Sequence, residues 1–250
     1  MKTPPGQLFL IPAPLAAGSP FGWDSGLREI ILALRHFIVE DIRTARRFLR
    51  ASDQQFPIDE SQFYILNKDT PPEELETLVL PLIKGQNMGL MSEGGMPCIA
   101  DPGAGLVAMA HQKNITVIPL PGPVSLMLAL AGSGLNGQSF TFHGYLPFRK
   151  EALEKKLREL ESLSAQTDYT QIFIETPFRN LSLLETILHS CRPQTLLSIG
   201  ANLGSASPYL RTETLKGWKL LNPPIQKVPA VFLLHSPALP EPIRKGSYRR

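Results

Sequence analysis

Apolar residues come in two rhythms along this chain. Short runs of three to five, bounded by Pro, Gly or charged residues, alternate with longer stretches in which apolar positions recur every three or four residues. The short runs Gln7–Ile11, Phe37–Val39, Phe63–Leu66, Met88–Met91 and Thr116–Leu120 predict strands. Helices are predicted over Leu27–Leu34, Ile42–Arg50, Glu73–Ile83 (introduced by Pro71 and Pro72) and Ala104–Gln112. Strand alternating with helix at this spacing predicts a mostly parallel sheet with helices on both faces.

The pattern changes after Leu120. An apolar helix is predicted over Val124–Ala131, a charged one over Lys150–Leu163 and a third over Leu181–His189. Strands are predicted at Phe140–Tyr145, Gln171–Glu175, Leu196–Ala201, Tyr209–Leu215 and Val228–His235. The last two have no long helix between them, which predicts a mixed sheet with antiparallel pairs. The expected organisation is therefore α/β in two domains: residues 1–120, residues 121–236, and a basic, Pro-rich tail over 237–250.

Totals narrow the class. A chain of 250 residues, 43% hydrophobic and 19% charged, is of ordinary globular composition and long enough for two α/β domains. A net charge of +3 does not by itself name a partner, but six arginines against three acids between Leu27 and Arg50 make a local phosphate-binding patch possible. Cys98 and Cys191 lie far apart without metal-like spacing, which fits a reducing, cytoplasmic setting and no metal site. Leu8–Ile11 loosely mimics a signal sequence, yet Pro12 and Pro14 break the run, and a first strand is the better reading. No apolar run reaches the length of a membrane span.

Two segments are placed to do chemistry. Ser92-Glu93-Gly94-Gly95-Met96-Pro97 directly follows a predicted strand, where paired glycines let main-chain groups approach a ligand closely. Asp101-Pro102-Gly103 precedes a helix, with Asp101 placed to cap it and Pro102 at its first position. The spacing is not that of a dinucleotide-binding loop. Further on, Pro119, Pro121 and Pro123 stiffen the passage to Ser125.

These segments, followed by Gly132–Leu135 and Gly144-Tyr145-Leu146-Pro147, resemble in order and spacing the tetrapyrrole (corrin and porphyrin) methylase superfamily. The similarity runs over about residues 7 to 236 and is greatest to the branch that 2′-O-methylates a ribose of small-subunit (16S) ribosomal RNA. The resemblance implies a homodimer that binds S-adenosylmethionine (SAM) in a cleft between its two domains. By position, the donor contacts would be Pro12, Ser92, Glu93, Gly94, Gly95, Met96, Ser125 and Leu126, joined by Glu175, Ala201, Asn202, Pro229 and Ala230. The family's Glu-Asp-Thr-Arg is kept as Glu40-Asp41-Ile42-Arg43. The chain departs from the family pattern at Pro12–Gly18, which lacks a Thr and an Asn, and at Gly200–Gly204, which lacks charges.

The helix after Asp41 carries Arg43, Arg46, Arg47 and Arg50 at helical spacing on one face, with Ile42, Ala45 and Leu49 opposite. A solvated basic face is one reading; a surface for RNA phosphates, or for tetrapyrrole carboxylates, is the other. A ribose hydroxyl needs a base to become a good nucleophile. The candidates are Glu40, Glu93 and Glu175, while Asp41 reads better as a helix cap. His143 reads as a satisfied core histidine, and Phe140, Phe142 and Tyr145 as core rather than as a stacking platform. Three functions remain open: methylation of ribosomal RNA, methylation of a small tetrapyrrole-like metabolite, and SAM binding with weakened catalysis in a sensor or assembly partner.

Overall fold

In a computed structural model of the protein, residues 4–16, 19 and 25–238 are described. The Pro-rich tail expected from residue 237 therefore lies almost wholly outside them, as do Ala17 and Gly18. The chain divides into two units. One runs to Ser125 and includes Gly204–Ala206; the other takes Leu126–Leu203 and the chain from Ser207.

The first unit is built from β1 (Leu8–Ile11), α1 (Ser25–Ala33), β2 (His36–Val39), α2 (Ile42–Ser52), β3 (Gln62–Ile65), α3 (Glu74–Ile83), β4 (Met88–Met91), α4 (Ala104–Gln112) and β5 (Val117–Pro119). Its five strands are all parallel, in the order β3-β2-β4-β1-β5. The Leu8–Ile11 run that mimics a signal sequence is thus an interior strand, paired on both edges. Side chains alternate along it: Phe9 and Ile11 join the cluster of α1 and α2, while Leu8 and Leu10 join that of α3 and α4. Burial of both faces is why the strands read as unbroken apolar runs.

The second unit comprises α5 (Ser125–Ser133, its first residue belonging to the first unit), β6 (Phe140–Tyr145), α6 (Lys150–Thr167), β7 (Thr170–Glu175), α7 (Asn180–Ser190), β8 (Leu196–Ala201), β9 (Tyr209–Thr214), α8 (Leu215–Trp218) and β10 (Ala230–His235). The sheet order is β6-β7-β10-β8-β9. Only the β6–β7 pair is parallel, so the sheet is mixed, as the absence of a long helix between the late strands predicts. Leu153, Leu157 and Leu160 of α6 and Leu183 and Ile187 of α7 cover one face around Phe173, Phe232 and Trp218. Buried Glu161 of α6 accepts hydrogen bonds from Arg192 N and the Thr195 hydroxyl, tying α6 to the start of β8. Among the described residues no helix is long and apolar enough to cross a membrane.

Trp218 is fully buried, and its Nε1 donates to Leu197 O at 2.8 Å. Trp218→Ala opens a large cavity in the core, so it should cost about 3–5 kcal/mol of stability. A denaturant titration reads this, with Trp218→Phe losing clearly less.

Candidate active site

Ile11, Val39 and Met91 stand at one level in neighbouring strands, because Ile11 and Val39 both pair with Met91. Pro12, Glu40 and Ser92 therefore leave the sheet side by side. The order β3-β2-β4-β1-β5 also reverses here: β1 leads towards β2 and β3, while β4 leads across β1 to β5. The carboxyl ends of strands at such a switch are where α/β sheets hold ligands, because the connecting loops diverge and leave a crevice.

The loop after β4 is held tightly. Ala13 N donates to Gly95 O at 2.8 Å and Gly95 N to Ala13 O at 3.0 Å, an antiparallel bridge beyond the end of the parallel sheet. Gly95 has φ +81°, and a side chain there would also press on Leu15. Cys98 and Ala100 follow at φ 69° and 64°, unusual for residues with side chains. Gly103, at φ +132°, has no room for a Cβ against Cys98 Sγ and Leu90. Burial and nearby Asp101 push the Cys98 thiol up to about 11, so it is no nucleophile near neutrality.

This path gathers carboxylates. Glu93 N donates to Glu40 Oε1 at 3.3 Å, and the Thr44 hydroxyl donates to Glu93 Oε1 at 3.3 Å. Burial holds the Glu40 carboxyl above its ordinary range; the negative charges of Asp101 and Glu93 push the same way, against the Glu93 N–H. Asp101 is likewise raised, by burial and then by Glu93, against a hydrogen bond from the Ser92 side chain. Buried Ser92 also reaches Gly95 O at 3.3 Å. Asp101 does not cap the following helix as the sequence predicts: α4 begins at Ala104 behind Gly103, without a side-chain cap. The left-handed turns at Ala100 and Gly103 pull the Asp101 carboxylate back towards Ser92 instead. Sequence reasoning missed it as a member of the acid group; the one available signal was its place directly after the glycine loop.

Asp41 does cap α2, accepting Thr44 N at 2.7 Å, a bond that holds its carboxyl below the usual range. Ala45 and Leu49 are buried, and Arg43, Arg46, Arg47 and Arg50 are exposed, which is the predicted two-faced helix. Arg46 is engaged with Asp59 at 3.1 Å. An open groove of about 710 Å³ is lined by Glu40, Asp41, Ile42, Arg43, Arg46 and Ile65. One surface of the first unit thus presents a half-buried carboxyl and guanidinium groups to the same space.

In the second unit, Ala230 pairs with Glu175 on one side and Ala201 on the other, and Asn202 N donates to Pro229 O at 3.0 Å. Five residues far apart in sequence thereby share one sheet edge. The Glu175 carboxylate is fully engaged: it accepts from Thr176 N at 2.7 Å and the Thr176 hydroxyl at 3.2 Å, and pairs with Arg179 at 3.3 Å. Its geometry is that of a brace for the β7–α7 turn. Ser125 opens α5, whose Leu126 is buried. His143 is half-buried and bonded to Gln171 at 2.8 Å, while Tyr145 is exposed rather than core. Gly204, which belongs to the first unit, lies against Leu15. Among the described residues no group of His, Cys, Asp and Glu could hold a metal ion.

No family model matches the chain. Among curated proteins it is similar to the ribosomal RNA small subunit methyltransferase I of Vibrio cholerae, at 32% identity over 181 residues (72% of this chain, 59% of that protein). The proteins of the same name from Escherichia coli O157:H7 and Xylella fastidiosa are 32% and 34% identical, over 73% and 75% of this chain. The chain spans about 60% of the length of the first two. Among solved structures it shares its fold with the methyltransferase CobJ (TM-score 0.59, 16% identity, 93% of this chain and 100% of that one). It shares it also with the uroporphyrin-III C-methyltransferase of Thermus thermophilus (TM-score 0.53, 17% identity, 92% of each chain).

The Glu40 and Asp101 carboxyls hold their protons more tightly folded than unfolded. Their stabilising contribution is complete below the ordinary carboxylate range and is lost as pH rises through the raised folded values. Glu40→Gln and Asp101→Asn should therefore raise the urea midpoint at pH 7 and give no gain at about pH 3, below the unfolded values. An unchanged or lowered midpoint at pH 7 contradicts the carboxylate crowding.

Proposed function

We propose that this chain, a member of the tetrapyrrole methylase superfamily, is a SAM-dependent methyltransferase acting on a ribose 2′-hydroxyl of 16S ribosomal RNA. The observation that carries this reading is the groove of the first unit, where Glu40 faces the same space as Arg43 and Arg46 of α2. The sequence relatives named for ribosomal RNA methylation support it over a small acceptor, because they are about twice as similar as the two tetrapyrrole-type structures.

The residues present fit the donor. The Ser92–Met96 turn presents main-chain groups at the sheet edge, and the carboxylates around it suit a cationic sulfonium. By position, Pro12, Ser92, Glu93, Gly94, Gly95, Met96 and Ser125 of the first unit would hold it. When bound, SAM supplies a methyl group already activated on sulfur, so positioning is the larger part of catalysis.

Glu40 is the group we assign to receive the acceptor hydroxyl's proton, at a carboxylate oxygen. Its raised pKa brings it closer to the working pH of a general base. Glu93, joined to Thr44, fixes the Glu40 carboxylate through its own N–H. Exposed Arg43, Arg47 and Arg50 would take phosphates, and Arg46 shares its charge with Asp59. Glu175 acts by bracing its turn rather than by moving a proton. A homodimer is supported by α5, which is apolar around its whole circumference yet exposes Met127 and Leu128. Free Cys98 and Cys191 suit a cytoplasmic setting.

Calorimetric titration with SAM and its demethylated product should show binding, and label from SAM should enter small ribosomal subunits taken from a strain lacking this protein. Arg43→Glu with Arg47→Glu should abolish subunit binding, which weakens steeply with salt, and leave SAM affinity intact. Label entering only a low-mass fraction would instead favour a small acceptor.

A further inference from the structure

Three aromatic side chains stand in the open at one corner of the second unit. Tyr145, at the end of edge strand β6, is 60% exposed; Phe148, in the turn to α6, is 78% exposed; and Phe178, in the β7–α7 turn, is 81% exposed. They form one neighbourhood. Tyr145 pairs with Ile174 across the β6–β7 ladder. The Arg179 guanidinium lies 4.2 Å from the centre of the Phe148 ring, and its Nη2 reaches Phe148 O at 3.5 Å. Lys227 N donates to Pro177 O at 3.1 Å, which brings that lysine beside the Phe178 turn.

The charges of this corner are mostly cationic. Arg149 and Lys150 follow Phe148 in the chain, Arg179 follows Phe178, and Lys227 is tied by its backbone to Pro177; the acids are Glu151, in the first turn of α6, and Glu175, which is bonded to Arg179. A single bare ring on a surface needs no explanation, but three together among cations do. Rings offer flat apolar faces to bases of any sequence, and the cations answer the phosphates between them. A second copy of the chain is the poorer occupant: a two-fold contact sets each patch against itself and brings like charges together.

We propose that this corner is a stacking platform for unpaired bases of the RNA acceptor. Phe148 and Phe178 carry the bases, Tyr145 extends the surface, and Arg149, Lys150 and Lys227 hold adjoining phosphates. Arg179 is a positioning residue: braced by Glu175, it fixes the Phe148 ring from one side. The platform directly follows the end of β7, so stacked nucleotides run along the sheet edge where Glu175, Ala201 and Ala230 lie side by side. This rests on the RNA reading above and narrows it, because the substrate must present single-stranded or splayed nucleotides.

The test is fluorescence anisotropy with the full chain, without SAM, and a labelled single-stranded RNA of about twelve nucleotides, within the site sizes of such platforms. Phe148→Ala with Phe178→Ala should weaken binding roughly ten- to a hundred-fold, and Phe178→Ala alone several-fold, as expected for lost base stacking. Phe178→Trp, which keeps a flat ring, should retain the affinity. Lys150→Glu with Lys227→Glu should flatten the salt dependence, which the phenylalanine variants leave unchanged. Equal affinity of the alanine variants and the wild type overturns the proposal, as does tighter binding to the same sequence as a duplex. So does loss of self-association in the double alanine variant with RNA affinity intact, which would make the corner an interface between copies. Failure of the RNA reading looks different: the wild-type protein then transfers no label to small subunits. Transfer that proceeds equally in wild type and phenylalanine variants sinks the platform alone.

Discussion

Because Ile11, Val39 and Met91 stand level in three neighbouring parallel strands, the chain leaves the sheet three times at one place, and everything in the first unit's site follows from that. Backbone groups beyond the last ladder bond still need partners. The Ala13–Gly95 bridge satisfies four of them and holds the loop after β4 against the one after β1. With that path set, Glu40, Glu93 and Asp101 have little choice of place, and their mutual repulsion is the electrostatic consequence. Burial first, and the neighbouring negative charges second, hold the Glu40 and Asp101 carboxyls above their ordinary range.

The arginines of α2 stand in a different relation to the same edge. Asp41 caps their helix, so the residue that starts the helix also separates the half-buried Glu40 from the exposed cations. One short stretch thereby turns from acid to base within a few residues, and the groove receives both. That arrangement offers an anionic polymer a footing beside a group able to take a proton, which neither a purely basic nor a purely acidic surface would do.

In the second unit, the position of Glu175 decides between two roles. At the end of β7 its carboxylate meets Thr176 and Arg179 before it meets any ligand, and Arg179 in turn carries the ring of Phe148. Held by three such contacts, the carboxylate anchors the start of the β7–α7 turn. Within the aromatic corner this ion pair holds the guanidinium that lies over the Phe148 ring.

Element types and order were legible in the sequence, because period and composition are local properties. Unbroken apolar runs such as Met88–Met91 mark strands buried on both faces, and the arginine stripe opposite Ala45 and Leu49 marks α2. The mixed character of the second sheet was legible too, from the lack of a long helix before Val228. The glycine loop and Glu40 were found as site candidates for the same reason: each directly follows a predicted strand. Only the tertiary structure decided which strand ends adjoin, since the order β3-β2-β4-β1-β5 rests on pairings between distant residues. It moved Asp101 from a helix cap into the carboxylate group, through positive φ angles at Ala100 and Gly103 that no periodicity reports. It also turned Tyr145 outward, because the β6–β7 register shifts between Phe142 and Tyr145 at Gly144, whose φ is +63°, and no periodicity reports such a shift.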